Sequence, residues 1–77
     1  MPDTLAQRIV RRRAELNLGA NELARAIGKS HGFMVQLQNG GARPSEDTLR
    51  VILRVLDVPR VDHDEWFASA GVVPQVM

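Results

Sequence analysis

The chain has 77 residues and no cysteine, which excludes two domains of ordinary size, disulfide bonds and thiolate zinc sites. Its net charge is only +1, but residues 1–43 carry seven Lys or Arg against three Asp or Glu, whereas residues 44–77 carry three against six. No stretch has the length of a membrane span or the pattern of a signal peptide, so we expect a cytoplasmic protein.

The spacing of apolar residues predicts an all-α fold, because no alternating run is long enough to predict a strand. Thr4 and Gln7 have the spacing of a capping box, and the helix that they begin is expected to reach about Leu16. Its inward residues are predicted to be Leu5, Ile9 and Leu16, with the small residues Ala6 and Ala14. Its residues predicted to project into water are Arg8, Arg11 and Arg12. Leu18 is expected to enter the core between the first two helices.

Residues 18–40 predict two short helices joined by a tight turn. The apolar stripe of the second helix consists of Leu23, Ala24 and Ile27. Gly28 is expected to end this helix, because glycine readily takes the left-handed conformation found after many helices. Ser30 is a suitable N-cap for the third helix.

The third helix has an apolar side and a short, neutral polar side. Its apolar residues are Phe33, Met34 and Leu37. Its other side presents Ser30, His31, Gly32, Gln36 and Asn39. Small and amide side chains, in place of long charged ones, suit a helix that lies against another polar surface.

After a loop with two adjacent glycines, Ser45 is expected to cap a fourth helix whose first turn carries Glu46 and Asp47. Its inward stripe is the clearest in the chain and consists of Leu49, Ile52, Leu53 and Leu56. Val51 and Val55 lie off this stripe, which indicates either a wide buried face or a patch that meets a partner. Pro59 is expected to end the segment.

A fifth helix is predicted from a second capping box, Asp62 with Glu65, and from Val61 and Trp66 as a hydrophobic staple around it. The residues expected to pack on the first and fourth helices are Trp66, Phe67 and Ala70. Gly71 should end the helix. The uncharged, apolar tail at 71–77 suggests a partner, a second copy or a continuation of the chain.

The segment from Leu18 to Ser45 resembles the helix-turn-helix of the Cro and lambda-repressor class, the XRE family of bacterial and phage regulators. The matching positions are Leu18, Leu23-Ala24, Gly28-Lys29-Ser30, Phe33-Met34, Leu37, Gly40 and Pro44-Ser45. The resemblance extends from Arg8 to Leu56 and Val58, and on to Ala70-Gly71 near the end of the chain. It implies one compact domain over 1–77, with five helices and a helix-turn-helix formed by the second and third.

The resemblance also implies a DNA-binding surface, with the third helix in the major groove. The residues placed near base edges are Ser30, His31, Gly32 and Gln36; those placed on phosphates are Asn39, Arg43 and the amides of the loop between them. Gln36 is the strongest candidate for base reading, because an amide side chain can bond adenine through two hydrogen bonds. His31 offers one donor or acceptor, and Gly32 offers only close approach.

Several positions depart from the family pattern. The family often has Ser or Thr followed by Gln at the start of the second helix, where the Gln grips a phosphate, but this chain has Gly19 and Ala20. A Glu that commonly pairs with an Arg of the first helix is replaced by Gln38, so Arg13 is left with a neutral hydrogen-bond partner. Lys29 lies at a turn position that is usually apolar in the family. Val35 lies at a position that is often Ser.

The preferred interpretation is a sequence-specific transcriptional regulator that binds double-stranded DNA as a homodimer, without metal or cofactor. Whether it represses or activates, and at which operator, stays open. The alternative is a protein-interaction module, such as an antitoxin or phage accessory factor, that keeps the fold with weak or no DNA binding. An enzyme is disfavoured: the run at 62–65 carries acid-base groups, but consecutive residues point around a helix and do not converge.

Overall fold

The computed structural model describes residues 4–72, and the predicted all-α architecture is confirmed there, with no strand in that range. The helices are α1 (Leu5–Leu16), α2 (Ala20–Ala26), α3 (His31–Gln38), α4 (Glu46–Val55) and α5 (His63–Ala70), with a 3-10 turn (Arg60–Asp62) leading into α5. None of the helices within 4–72 is long and apolar enough to cross a bilayer. The part of the predicted tail at 73–77 lies outside the described residues.

Three helices begin at the side-chain caps that the sequence predicts. Thr4 forms a complete capping box: its backbone N–H donates to Gln7 Oε1 at 2.9 Å, and its Oγ1 accepts the backbone N–H of Gln7 at 3.1 Å. Ser30 accepts the backbone N–H of Phe33 at the start of α3, and Ser45 accepts that of Thr48 at the start of α4. These bonds satisfy amide groups that a helix leaves without an internal partner.

One hydrophobic core joins all five helices. Its buried members are Leu5, Ile9, Leu23, Ala24, Ile27, Met34, Leu37, Leu49, Ile52, Leu53, Leu56, Val58, Trp66, Phe67 and Ala70. Val51 and Val55 are half-buried and pack against this cluster, which favours a wide buried face on α4 over a separate patch. The predicted stripes of α2, α3 and α4 are confirmed.

The end of α1 differs from the prediction. Leu16 is 39% exposed, and Ala14 is exposed as well, because the last turn of α1 extends beyond the core. Asn17 then takes a left-handed conformation with φ of 54° and reverses the chain. The prediction that Leu18 packs against the core is confirmed.

Two arginines of α1 that were predicted to project into water instead contact other helices. Arg12 donates from Nε to the carbonyl oxygen of Leu56 and from Nη2 to that of Asp57, both at 2.8 Å. Arg8 forms an ion pair with Glu65, with its Nη1 3.4 Å from the carboxylate. The long aliphatic parts of these side chains let the guanidinium groups reach α4 and α5.

The start of α5 also corrects the sequence prediction. Asp62 has helical angles within the 3-10 turn and makes no side-chain capping bond, while Glu65 is turned to Arg8. Val61 is 86% exposed, so it forms no staple with Trp66. The preceding helix α4 ends at Val55, and Asp57, two residues ahead of Pro59, takes a left-handed conformation.

Candidate nucleic-acid interface

The turn between α2 and α3 has the glycine and the serine where the sequence predicts them. Gly28 has a φ of 73°, and its N–H donates to the carbonyl oxygen of Arg25. The next N–H, that of Lys29, donates back to Ala24 at 2.9 Å, which closes the end of α2. Ser30 then begins α3 at once, so the two helices form a helix-turn-helix with a fixed angle.

Buried side chains determine which side of α3 faces outward. Met34 and Leu37 are essentially inaccessible to solvent, and Phe33 is half-buried against the core. The Lys29 ammonium lies 5.6 Å from the centre of the Phe33 ring, a distance suited to cation–π attraction. These contacts hold α3 in one rotation about its axis.

The opposite side of α3 brings together the side chains that the sequence places near base edges. Ser30, His31, Gly32, Gln36 and Asn39 are all exposed. Within residues 4–72, the side chains of His31, Gln36 and Asn39 make no hydrogen bond, so their donors and acceptors face solvent. Val35, which the sequence reasoning did not assign to the site, is 40% exposed on the same helix.

The electrostatic character of this segment is positive. No Asp or Glu occurs from Leu23 to Arg43, while Arg25, Lys29 and Arg43 are all exposed. A polyanion approaching α3 therefore meets cations and neutral dipoles, without a carboxylate in this stretch.

The end of α3 is tied to α1 by the bond that the sequence suggested. Arg13 donates from Nη1 to Oε1 of Gln38, and its Nε donates to the carbonyl oxygen of Leu18 at 3.2 Å. One guanidinium thus holds α1, the α1–α2 connection and α3 together. The substitution of Gln for the family's Glu keeps this link but makes one partner neutral.

The loop after α3 corrects one expectation. Gly40 and Gly41 donate their N–H groups to the carbonyl oxygens of Leu37 and Gln36, at 3.3 and 2.8 Å, in a Schellman arrangement with Gly40 at φ of 79°. These two amides are therefore occupied by α3 and do not point toward a phosphate.

Arg43 lies at the other end of this loop and is exposed. A Cβ atom built on Gly71 would be 3.3 Å from the Arg43 guanidinium carbon, so the side chain rests on the C-terminal end of α5. The carbonyl end of a helix favours a cation.

The start of α2 carries the carboxylate of Glu22 close to Gly19 and Ala20, the positions at which the resembled family grips a phosphate. Gly19 is the N-cap and supplies no side chain, and its N–H donates to Oε1 of Glu22 at 3.3 Å. The sequence analysis noted the missing clamp at Gly19 and Ala20 but not the nearby Glu22 carboxylate, although Glu at the third helical position is a capping signal.

Two side chains of the acidic run at 62–65 make contacts within the protein. The Nε2 atom of His63 lies 2.9 Å from the carbonyl oxygen of Val58, and Glu65 pairs with Arg8. Within residues 4–72, no group of three or more His, Asp or Glu side chains is arranged to hold a metal ion.

A family model described as a helix-turn-helix domain matches residues 4–66 of the chain. This range includes α1 to α4 and the first residues of α5. Comparisons with curated proteins and with solved structures find no match.

Proposed function

Because the chain belongs to the helix-turn-helix domain family, we propose that it is a sequence-specific DNA-binding transcriptional regulator whose α3 enters the major groove. The observation that carries this proposal is the polar side of α3, where unpaired side chains face solvent opposite the buried Met34 and Leu37. A helix with this arrangement fits the width of the major groove of B-DNA.

The exposed residues have distinct proposed roles. Gln36 bonds a base edge through its amide, which favours adenine. His31 and Ser30 offer single donors or acceptors at the start of α3, and Gly32 allows the helix backbone to approach the bases. Asn39 contacts a phosphate from the end of α3, and Arg43 supplies a positive charge to the backbone of the DNA.

The test compares Gln36→Ala with Arg43→Ala on the site selected from random duplexes and on unrelated DNA. Gln36→Ala should weaken binding to the selected site by about 1 to 3 kcal/mol, flatten the preference at one base pair and leave unrelated DNA unaffected. Arg43→Ala should weaken all sequences alike and reduce the slope of log K against log salt by about one, because one phosphate contact is lost.

Arg60→Ala is the matched control for charge, because Arg60 is an exposed arginine in the 3-10 turn. It should leave the base preference and the salt slope unchanged. Equal losses on selected and unrelated DNA for Gln36→Ala would show that α3 does not read sequence through this residue.

A protein-interaction module is the second candidate, and the Glu22 carboxylate at the start of α2 favours it. A phosphate placed there would be repelled. Mobility of labelled duplexes at low salt distinguishes the two candidates, since the module predicts no retarded band for any sequence.

We further propose that the regulator binds as a two-fold dimer. A domain of this size makes few contacts, and two copies with α3 helices about 34 Å apart would read a palindromic site with added affinity. The candidate surfaces inferred from the sequence are Val51, Val55 and the tail at 72–77. Val51, Val55 and Val72 already pack on the core, which weakens them as candidates, and 73–77 lies outside the described residues. Val61 is largely exposed and is the better candidate within 4–72.

A monomer in sedimentation at high concentration, together with a non-palindromic selected site, would contradict the dimer.

A further inference from the structure

Val35 is an exposed apolar side chain in the middle of α3. It keeps 40% of its surface accessible, while the other large apolar side chains exposed within 4–72 are Val10 and Leu16 on α1 and Val61 in the 3-10 turn. The core needs Met34 and Leu37 from this helix, and Val35 contributes little to it. A branched apolar residue therefore projects from the surface that is otherwise polar.

The geometry of α3 gives Val35 a definite position on that surface. With 3.6 residues per turn, Gly32 and Asn39 lie nearly opposite the buried Met34 and Leu37, and Val35 and Gln36 lie about 50° to either side of this outward line. The two side chains are thus symmetric about the line along which α3 faces outward.

Gly32 leaves the centre of this surface without a side chain. Its backbone is not left-handed, and a Cβ atom added to it would meet only Ser30 Oγ, at 3.9 Å. Nothing inside the protein therefore requires a glycine there. Without a side chain at the centre, an opposing surface can approach the α3 backbone and meet Val35 and Gln36 from both sides.

The edges of base pairs in the major groove offer one apolar group, the 5-methyl group of thymine, among hydrogen-bond donors and acceptors. A valine placed against the hydrogen-bond donors and acceptors of the bases would remove those groups from water without offering them a hydrogen-bond partner, which is unfavourable. We propose that Val35 packs against a thymine methyl group and so specifies thymine at one position beside the base that Gln36 reads. This inference rests on the proposed DNA-binding function.

The experiment replaces each thymine of the selected site in turn by deoxyuridine, which keeps base pairing and removes only the methyl group. At one position per half-site, the parent protein should bind about fourfold more weakly, the factor expected for one buried methylene-sized group. Val35→Ala should weaken binding to the thymine site by a similar factor, and deoxyuridine should then cause no further loss. Alanine favours helix more than valine does, so the variant keeps the fold, which melting confirms.

Val10→Ala is the matched control, because Val10 is also a mid-helix valine and is 47% exposed, but on α1. It should retain the full response to deoxyuridine.

The possible failures are distinguishable. If the parent binds a preferred site but no deoxyuridine substitution weakens it, or if Val35→Ala keeps the full response, the role of Val35 is wrong and the proposed function stands. If Val35→Ala changes self-association and not the deoxyuridine response, Val35 belongs to a protein interface and the inference is also wrong. If the parent binds no duplex at low salt, the proposed function and this inference both fail.

Discussion

Gly32 lies inside α3, where a glycine is unfavourable for folding, and at the centre of the proposed DNA-binding surface. A glycine inside a helix is less stable than alanine, because its unfolded backbone has more freedom. The left-handed glycines of this chain, such as Gly28 with φ of 73°, have a conformational reason that Gly32 lacks. We therefore propose that Gly32 serves close approach of a binding partner.

Gly32→Ala should therefore separate stability from binding. The variant should be as stable as the parent or more stable by up to about 1 kcal/mol, measured by urea denaturation, while its affinity for the selected DNA site falls at least severalfold, because a methyl group now separates α3 from the bases. Gly28→Ala is the contrasting control and should lose stability, since alanine is strained at a positive φ. Unchanged DNA affinity of Gly32→Ala would argue against close approach of this part of α3.

At the scale of elements, Arg12 joins the middle of α1 to the end of α4. The carbonyl groups at the C-terminal end of a helix have no hydrogen-bond partner within that helix. At the end of α4, the Arg12 guanidinium, 44 residues away in sequence, donates to the carbonyl oxygen of Leu56. The negative end of the helix dipole makes a cation favourable there.

Arg12→Met should destabilise the domain by about 2 kcal/mol, because hydrogen bonds from a charged group to the Leu56 and Asp57 carbonyl groups are lost while the aliphatic part of the side chain is kept. Denaturant titration measures this change. Arg60→Met removes an exposed arginine of the 3-10 turn and should cost much less. Equal effects of the two substitutions would mean that the Arg12 bonds contribute no net stability.

The start of α2 leads to a prediction about DNA affinity. Glu22→Gln keeps an oxygen able to accept the Gly19 N–H but removes a negative charge that lies close to Gly19 and Ala20, the positions at which the resembled family binds a phosphate. Binding to selected and unrelated duplexes at low salt should both become severalfold tighter, and the gain should shrink as salt screens the charge. Glu15→Gln removes the same charge from α1 and should produce a smaller gain; an equal gain would show that only net charge matters.

At the scale of the whole molecule, one aliphatic cluster holds all five helices, and no second core exists within 4–72 to compensate for damage. Leu37 is central to this arrangement, because it is 1% exposed and anchors α3 from the inner side. Its loss would affect both the stability of the fold and the orientation of the polar surface.

Leu37→Ala should cost on the order of 2 to 5 kcal/mol through lost burial and the cavity that remains. In so small a domain this is a large part of the total stability, so thermal unfolding should shift strongly downward or begin near room temperature. Val35→Ala, on the outer side of the same helix, is the control and should melt close to the parent. A Leu37→Ala melting temperature within a few degrees of the parent would contradict this placement.

The sequence determined the features that depend on neighbours within one helical turn. The caps at Thr4, Ser30 and Ser45 each use a bond over three residues, and Gly28 and Gly71 end helices through their own backbone angles. The polar side of α3 was predictable for a related reason: once Met34 and Leu37 are buried, helical periodicity fixes which residues face outward.

The tertiary structure decided what depends on distant partners. Leu16, predicted to be buried, is exposed because the core ends before the last turn of α1, and the capping bond expected from Glu65 is replaced by an ion pair with Arg8, 57 residues away. The position of the Arg43 side chain beside Gly71 also depends on a partner distant in sequence. Long charged side chains have many rotamers of similar energy, so a partner in space, which residue spacing does not encode, selects among them.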